Sequence, residues 1–373
     1  MFVFRREDLP PDPVFPADLE QLGYFINDKD QIRQISAPDQ EFKFKINRNY
    51  RWNEVQRGAM NECVRKIVLS RLHDLGLTTL HLPIDAGPKD PNVPILASRN
   101  LSSAARIVVV FGEPVQDLGI WAHRTIGSDG INAGSAVAFA QALVKTTHTT
   151  SSNPNPPAEA NGSDQNSQEN SKKETALILA NTGQLVWHCG TGKAITHSTF
   201  LALPRASAVD LPANMSDRNK IPKNANWQEH VECVFEDILS SRGKLVRADA
   251  EIDVIGLAEG GLGAVQYLAE NWRSWSPHIT AIVLTNPLHY SHLHLTGSDL
   301  ADPRSFAAFV ASRCRAYVLS EEPLGTPVQG FRDHGCNCYS GGEALNIECL
   351  MPKVWGSMLQ WLERVHSETG FGE

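Results

Sequence analysis

The stretch EIDVIGLAEGGLGAVQYL, residues 251–268, constrains the fold of this 373-residue chain more than any other. Glu251–Ile255 is an aliphatic run of the kind buried on both faces of a sheet. Glycines follow at once, and Gly261–Asn271 then takes up helical spacing. A buried strand that turns tightly into a helix is half of a βαβ unit, so the sheet it belongs to should be parallel and covered on both faces.

The rest of the chain repeats this alternation. Strands are expected at Arg106–Phe111, Ala176–Ala180, Thr280–Thr285 and Ala316–Ser320. Helices are expected near Ala133–Val144, at Gln228–Ser241 and at Pro352–His366. The fold class is therefore α/β, a doubly wound, mostly parallel sheet, with its functional site at the carboxyl ends of the strands.

Residues 1–100 read as an N-terminal strand and helix extension packed on a main domain of residues 101–366. Tyr24–Asn27 and Gln31–Ile35 flank Asp28-Lys29-Asp30 as a hairpin. Phe42, Phe44 and Ile46 alternate with lysines as a third strand. Asn53 then caps a helix over Glu54–Leu75, which Gly76 ends. Lys145–Glu174 has no apolar residue larger than Ala and reads as a disordered insertion within the main domain.

Composition removes several functions. The longest aliphatic-aromatic run, about Ile107–Phe111, is far short of the roughly 18 residues of a membrane helix. The N-terminus carries no long apolar segment, so no secretory signal is expected. A net charge of −8 opposes a general nucleic-acid coat. Seven scattered cysteines fit free thiols in a reducing compartment.

Two chemistries use a strand–turn–helix like the one at 251–268. The nucleophile elbow has small residues at both corners and the nucleophile at its tip. Gly256-Leu257-Ala258-Glu259-Gly260 has that spacing, but Ala258 has no atom to attack with. Moving the tip to Glu259 puts Leu257 at a corner that must be small. A dinucleotide-binding turn would use Gly256, Ala258 and Gly261, and lacks its middle glycine. The plain alternative is that the glycines serve close strand–helix packing alone. For the remaining members of a triad, Glu321 or Glu322 follows a strand as the acid, and His334 is the candidate base. Loop acids are usually solvated and a lone histidine is usually structural, so neither position specifies catalysis.

Weaker patterns fail on detail. Cys336-x-Cys338 with His334 and Cys349 is too tight for a zinc site, and His289, His292 and His294 imply no carboxylate partner. Gly190-Thr191-Gly192-Lys193 ends in Ala194 where a phosphate loop needs Ser or Thr. No metal or cofactor is expected. One stretch opposes the global charge: Phe42–Arg71 holds eight basic and two acidic residues, with aromatics interleaved. Lys43, Lys45, Arg48, Arg51 and Trp52 are its partner-binding candidates. A solvated helix face, an acidic protein surface and stacked nucleic acid all fit that pattern.

Five segments together resemble the Argonaute-binding-protein-two (Arb2) domain family: FPADLEQLGYFINDKDQIRQI, FKFKINRNYRWNEVQRGAMNECV, GIWAHRTIGSDGINAGSAV, VIGLAEGGLGAVQYL and ITAIVLTNPLH. The resemblance covers about Phe15–Glu363 apart from the insertion. It implies an α/β-hydrolase-like fold. It also implies, as in fungal members, a subunit of the Argonaute siRNA chaperone complex that pairs with a second Argonaute-binding subunit in heterochromatin and gene silencing. The compartment implied is the nucleus, with the cytoplasm second. Some histone deacetylases carry the same domain, so deacetylase or chromatin complexes are further implied partners, and direct RNA contact stays open. Some animal relatives keep Ser at the elbow, where this chain has Ala258. The expectation is therefore a noncatalytic scaffold whose elbow is vestigial. The alternative is a hydrolase of small acyl esters with a displaced nucleophile, Ser320 or Cys336.

Overall fold

The computed structural model describes residues 13–87, 89–148, 174–203, 211, 214–295 and 299–368. The expected insertion lies almost wholly outside them, and the helix before it continues to His148.

The chain opens with an antiparallel hairpin, β1 (Tyr24–Ile26) and β2 (Ile32–Gln34). Helix α1 (Tyr50–Asp74) follows. Then come β3 (Leu77–Leu82), β4 (Val93–Ser98) and β5 (Arg106–Phe111). Helices α2 (His123–Ser128) and α3 (Ala136–His148) lead to β6 (Thr175–Leu179). A small ribbon, β7 (Val186–His188) and β8 (Lys193–Ile195), precedes α4 (His197–Leu201). Helix α5 (Trp227–Cys233) runs on into a wider π turn over Val234–Leu239. The motif itself is β9 (Glu251–Leu257) and α6 (Glu259–Trp275). After it come β10 (Ile279–Thr285), α7 (Ser291–His294), α8 (Phe306–Arg313) and β11 (Cys314–Val318). The chain closes with β12 (Pro327–Val328), α9 (Phe331–His334), β13 (Asn337–Ser340) and α10 (Leu350–Ser367).

Nine strands form one sheet in the order β12-β13-β11-β10-β9-β5-β6-β4-β3. From β13 to β6 all neighbours are parallel; at the edges β12 pairs antiparallel with β13, β4 with β6, and β3 with β4. This is the expected α/β-hydrolase-like architecture. The central strands point alternate side chains to opposite faces, as the period of a strand dictates. Ile107, Val109 and Phe111 join Ile252 and Val254 in the core under α5, α6 and α8. Val108 and Val110 join Ile255 and Leu257 in the core under α1, α3 and α10. Burial on both faces is why these strands read as unbroken aliphatic runs.

Three local expectations are corrected. Phe42–Ile46 is not a strand: it pairs with no strand among the described residues, and its aromatics pack locally instead. Phe42 lies 5.5 Å from the Tyr24 ring and Phe44 6.3 Å from that of Tyr50. Helix α1 starts at Tyr50, because Asn49 accepts the Arg51 N–H as its cap. Asn53 lies inside the helix and accepts the N–H groups of Ile46 and Asn47, which folds the preceding segment onto it. Finally, β3 and β4 lie within the first hundred residues yet belong to the main sheet. The hairpin and α1 pack on that sheet, and the chain has joined it well before residue 100.

Candidate functional site

Ala258 stands at the junction of β9 and α6, with φ 44° and ψ −114°. A non-glycine residue in this region carries strain of about 1–3 kcal/mol and persists only where its surroundings enforce it. Here the surroundings are explicit. The Ala258 N–H donates to the Thr285 carbonyl at the end of β10 (2.9 Å), and its own carbonyl accepts the Leu262 N–H in the first turn of α6 (3.0 Å). The chain is thus pinned to the neighbouring strand on one side and to the helix on the other.

The corners leave no room for side chains. A Cβ on Gly256 would overlap the Cα of Gly261 and lie 2.9 Å from its nitrogen. A Cβ on Gly260 would overlap the Gly112 carbonyl oxygen and lie 2.6 Å from that of Phe111. The register is therefore that of an elbow with Ala258 at its tip. Glu259 is the first residue of α6, so the alternative frame with Glu259 at the tip does not occur.

Carboxylates surround this turn. The loop after β5 brings in Glu113, whose carboxyl is pushed up to about 7, by burial first and then by the negative charges of Glu259 and Glu348. Sequence reasoning missed Glu113 and Glu348, because only the fold brings loops after β5 and β13 to the same turn. Among the described residues, no group of three or more His, Cys, Asp or Glu side chains is arranged to hold a metal ion.

The candidate triad partners Glu322 and His334 bond elsewhere. Glu322 is on the expected side, after β11, but is exposed, and its backbone carbonyl accepts from the buried Ser340 hydroxyl (2.6 Å). His334 precedes β13, whereas a triad base would follow that strand, where Gly341, Gly342 and Glu343 stand. The reason is the return of the chain through β12 and α9 after β11. The His334 ring is also committed: its Nδ1 donates to the His289 carbonyl, and His289 Nε2 donates to that of His334, both at 2.7 Å. Burial pushes the wholly buried His289 down to about 4.

Of the displaced nucleophiles, Ser320 Oγ accepts the Glu322 N–H (3.1 Å), and Cys336 is fully buried. Gly190–Lys193 forms the turn between β7 and β8, with backbone bonds from Thr191 and Gly192 to the His188 carbonyl. All seven cysteines are free thiols, and only Cys189 is exposed.

Much of the basic charge near the N-terminus is compensated. Arg57 pairs with Glu54, Arg65 with Glu62 and with Asp117 (2.8 Å), and Arg71 with Asp30 (2.8 Å). Lys43, Lys45 and Arg48 are exposed on the segment before α1, while Arg51 and Trp52 are half-buried in its first turn. Arg57 also lies over the Phe44 ring, 5.6 Å from its centroid. Among the described residues no helix is long and apolar enough to cross a membrane.

Comparison with known proteins adds the family. The cotranscriptional regulator ARB2A homolog of Xenopus tropicalis is 25% identical over 340 residues, covering 87% of this chain and 74% of its own. The cotranscriptional regulator ARB2A of Homo sapiens is 23% identical over 337 residues, covering 88% and 75%. Among solved structures, a histone deacetylase from Saccharomyces cerevisiae matches with a TM-score of 0.45 at 11% identity, covering 82% of this chain and 96% of that one. The esterase Est22 matches with a TM-score of 0.33 at 12% identity, covering 85% and 92%. The model of the Arb2 domain matches residues 15–324, and the chain belongs to the Arb2 domain family.

Proposed function

We propose that this protein is a noncatalytic regulatory scaffold, an α/β-hydrolase-like domain that works by holding partners. The observation that carries the reading is Ala258 at the tip of a fully formed elbow. The turn keeps its strain and its glycine corners without an attacking atom. Removing the nucleophile of a triad enzyme typically lowers turnover by ~10⁴–10⁶. The placement of His334 before β13, where a triad base would follow that strand, supports the same reading.

The curated relatives are named as cotranscriptional regulators, which supports a regulatory role in the nucleus. Within that role the partners proposed are Argonaute and a second Argonaute-binding subunit, in siRNA-directed silencing of heterochromatin. The proposed contact surface is Lys43, Lys45, Arg48, Arg51 and Trp52, of which the first three are exposed. Exposed like charges on one segment chiefly set association rate and partner choice.

The test is turnover of p-nitrophenyl acetate by the purified protein, with fluorophosphonate and thiol-directed probes alongside. The reading predicts a rate equal to buffer and no stoichiometric labelling by fluorophosphonate. Ester turnover that fluorophosphonate abolishes would overturn it.

A further inference from the structure

A cleft of about 690 Å³ is bounded by the tip of the β1–β2 hairpin, helix α2, the start of α3, the loop after β13 and the start of α10. The volume lies within the ~300–1,000 Å³ usual for small-molecule sites. Neither Ala258 nor the exposed Lys43–Arg48 segment lines it.

Part of the lining is apolar. Trp355, Ala133, Ala138 and Pro352 form that part, and Trp355 is packed edge-on against Phe139 with ring centroids 6.4 Å apart. Three cations line the cleft as well: Lys29, Arg124 and Lys353. Their compensation is uneven. Lys353 is committed to Glu343 (2.6 Å) and to the Gly342 carbonyl (3.0 Å). That hydrogen bond, with backbone N–H donors from Leu345 and Asn346, holds the Glu343 carboxyl down at about 2. Asp30 is likewise committed, to Arg71 (2.8 Å) and to the Asn132 N–H (2.7 Å). Among the described residues Arg124 has only a long pairing with Glu348 (3.6 Å), and Lys29 is exposed. Asp129 is the remaining acid of the lining and is exposed. The cleft thus offers two lightly compensated cations and, in the same lining, the flat ring of Trp355.

The geometry points to a binding site for a small anion with an apolar body, a carboxylate or a phosphate monoester, its charge on Arg124 and Lys29 and its body on Trp355. A planar guanidinium suits either oxyanion by paired donors. A bound ligand would bridge the N-terminal hairpin and α10, and would so stiffen the joint between the N-terminal segment and the sheet. The inference does not depend on the scaffold reading, since a cleft can bind a small molecule in an enzyme or in a scaffold.

The experiment uses the full chain and the fluorescent naphthalenesulfonate ANS as probe, titrated to saturation, with octanoate and phenyl phosphate as competitors. Three variants are compared: Arg124→Glu, Lys29→Glu and Ala133→Trp. The first two reverse surface charges and the third fills the cleft; thermal melts report whether each remains folded. The expected result is one saturable site per chain, weakened about tenfold or more by each charge reversal and lost in Ala133→Trp. Displacement by phenyl phosphate alone identifies a phosphate ligand, and displacement by octanoate alone a carboxylate. Displacement by both assigns the shared oxyanion chemistry. Absence of a saturable site overturns the proposal. So does binding that the folded variants leave unchanged, and so does failure of both competitors.

Discussion

Gly256 and Gly261 stand back to back across the elbow, so close that a methyl group on Gly256 would overlap the Gly261 Cα and lie 2.9 Å from its nitrogen. Backbone cannot step aside as the end of a flexible side chain can. Gly256→Ala should therefore destabilise the protein by about 1–3 kcal/mol or more, the range for forced overpacking. Chemical denaturation of the variant checks this. Gly58, where a Cβ would meet nothing within 4 Å, is the control, and Gly58→Ala in the middle of α1 should stabilise slightly.

Ala258→Ser restores an oxygen at the tip without restoring a base. The residues after β13 are glycines and Glu343, and the His334 ring is held by His289. The variant should fold with an unchanged melting temperature and remain unlabelled by fluorophosphonate. Mass spectrometry of the treated protein is the measurement.

Arg106, Asp253 and His366 tie the starts of two central strands, β5 and β9, to the last helix. Arg106 Nε donates to Asp253 (2.7 Å) and His366 Nε2 to the same carboxylate (2.9 Å), which is wholly buried. Burial alone would raise the Asp253 carboxyl, but Arg106 and His366 outweigh it and hold it below its usual range. A carboxyl with a depressed folded-state pKa contributes stability that is present above its unfolded value and is lost as pH falls through the folded one. Stability should thus drop on acidification below about pH 4. Asp253→Asn removes one of the two carboxylates on the buried Arg106, leaving only the half-exposed Glu363, and should lower stability at neutral pH by on the order of 1–3 kcal/mol, less than for a fully orphaned charge. Urea melts across pH follow both.

Glu113 has the opposite sign. Its carboxyl is raised to about 7 from an ordinary 4.5, so the folded state favours the protonated form. Its contribution to stability falls as pH rises from about 4.5 towards 7 and is constant above that. Glu113→Gln should remove this slope and stabilise the protein at pH 8 by on the order of 1–2 kcal/mol. The same variant is neutral to slightly destabilising at pH 4. Thermal melts of both proteins over that range report the difference.

The parts of this molecule that the sequence made legible are those where one physical requirement dominates. Arg106–Phe111 was readable to the residue, because a strand buried on both faces has few alternatives to a β-branched run. The elbow was readable because backbone contact demands glycine at its corners. The edge strands were not. Leu77–Leu82 alternates between buried and open positions with threonines and a histidine, and Val93–Ser98 contains a proline. Each depends on a partner strand distant in sequence. Phe42–Ile46 shows the converse, an alternation that looks like a strand but is satisfied by Tyr24, Tyr50 and Asn53. His334 was misplaced because nothing local announces that the chain doubles back through Pro327–Val328 before entering β13. The meeting of Glu113, Glu259 and Glu348 likewise needed the tertiary fold.

The scaffold account is tested most directly by affinity purification of the tagged protein from its native cells, followed by quantitative mass spectrometry, beside a Lys43→Glu, Lys45→Glu, Arg48→Glu variant. The account predicts that the unaltered protein recovers Argonaute and a second Argonaute-binding subunit in near-equal amounts. It predicts that the variant, with an unchanged melting temperature, recovers at most about a tenth as much. Absence of Argonaute from the unaltered protein's complexes would contradict the account.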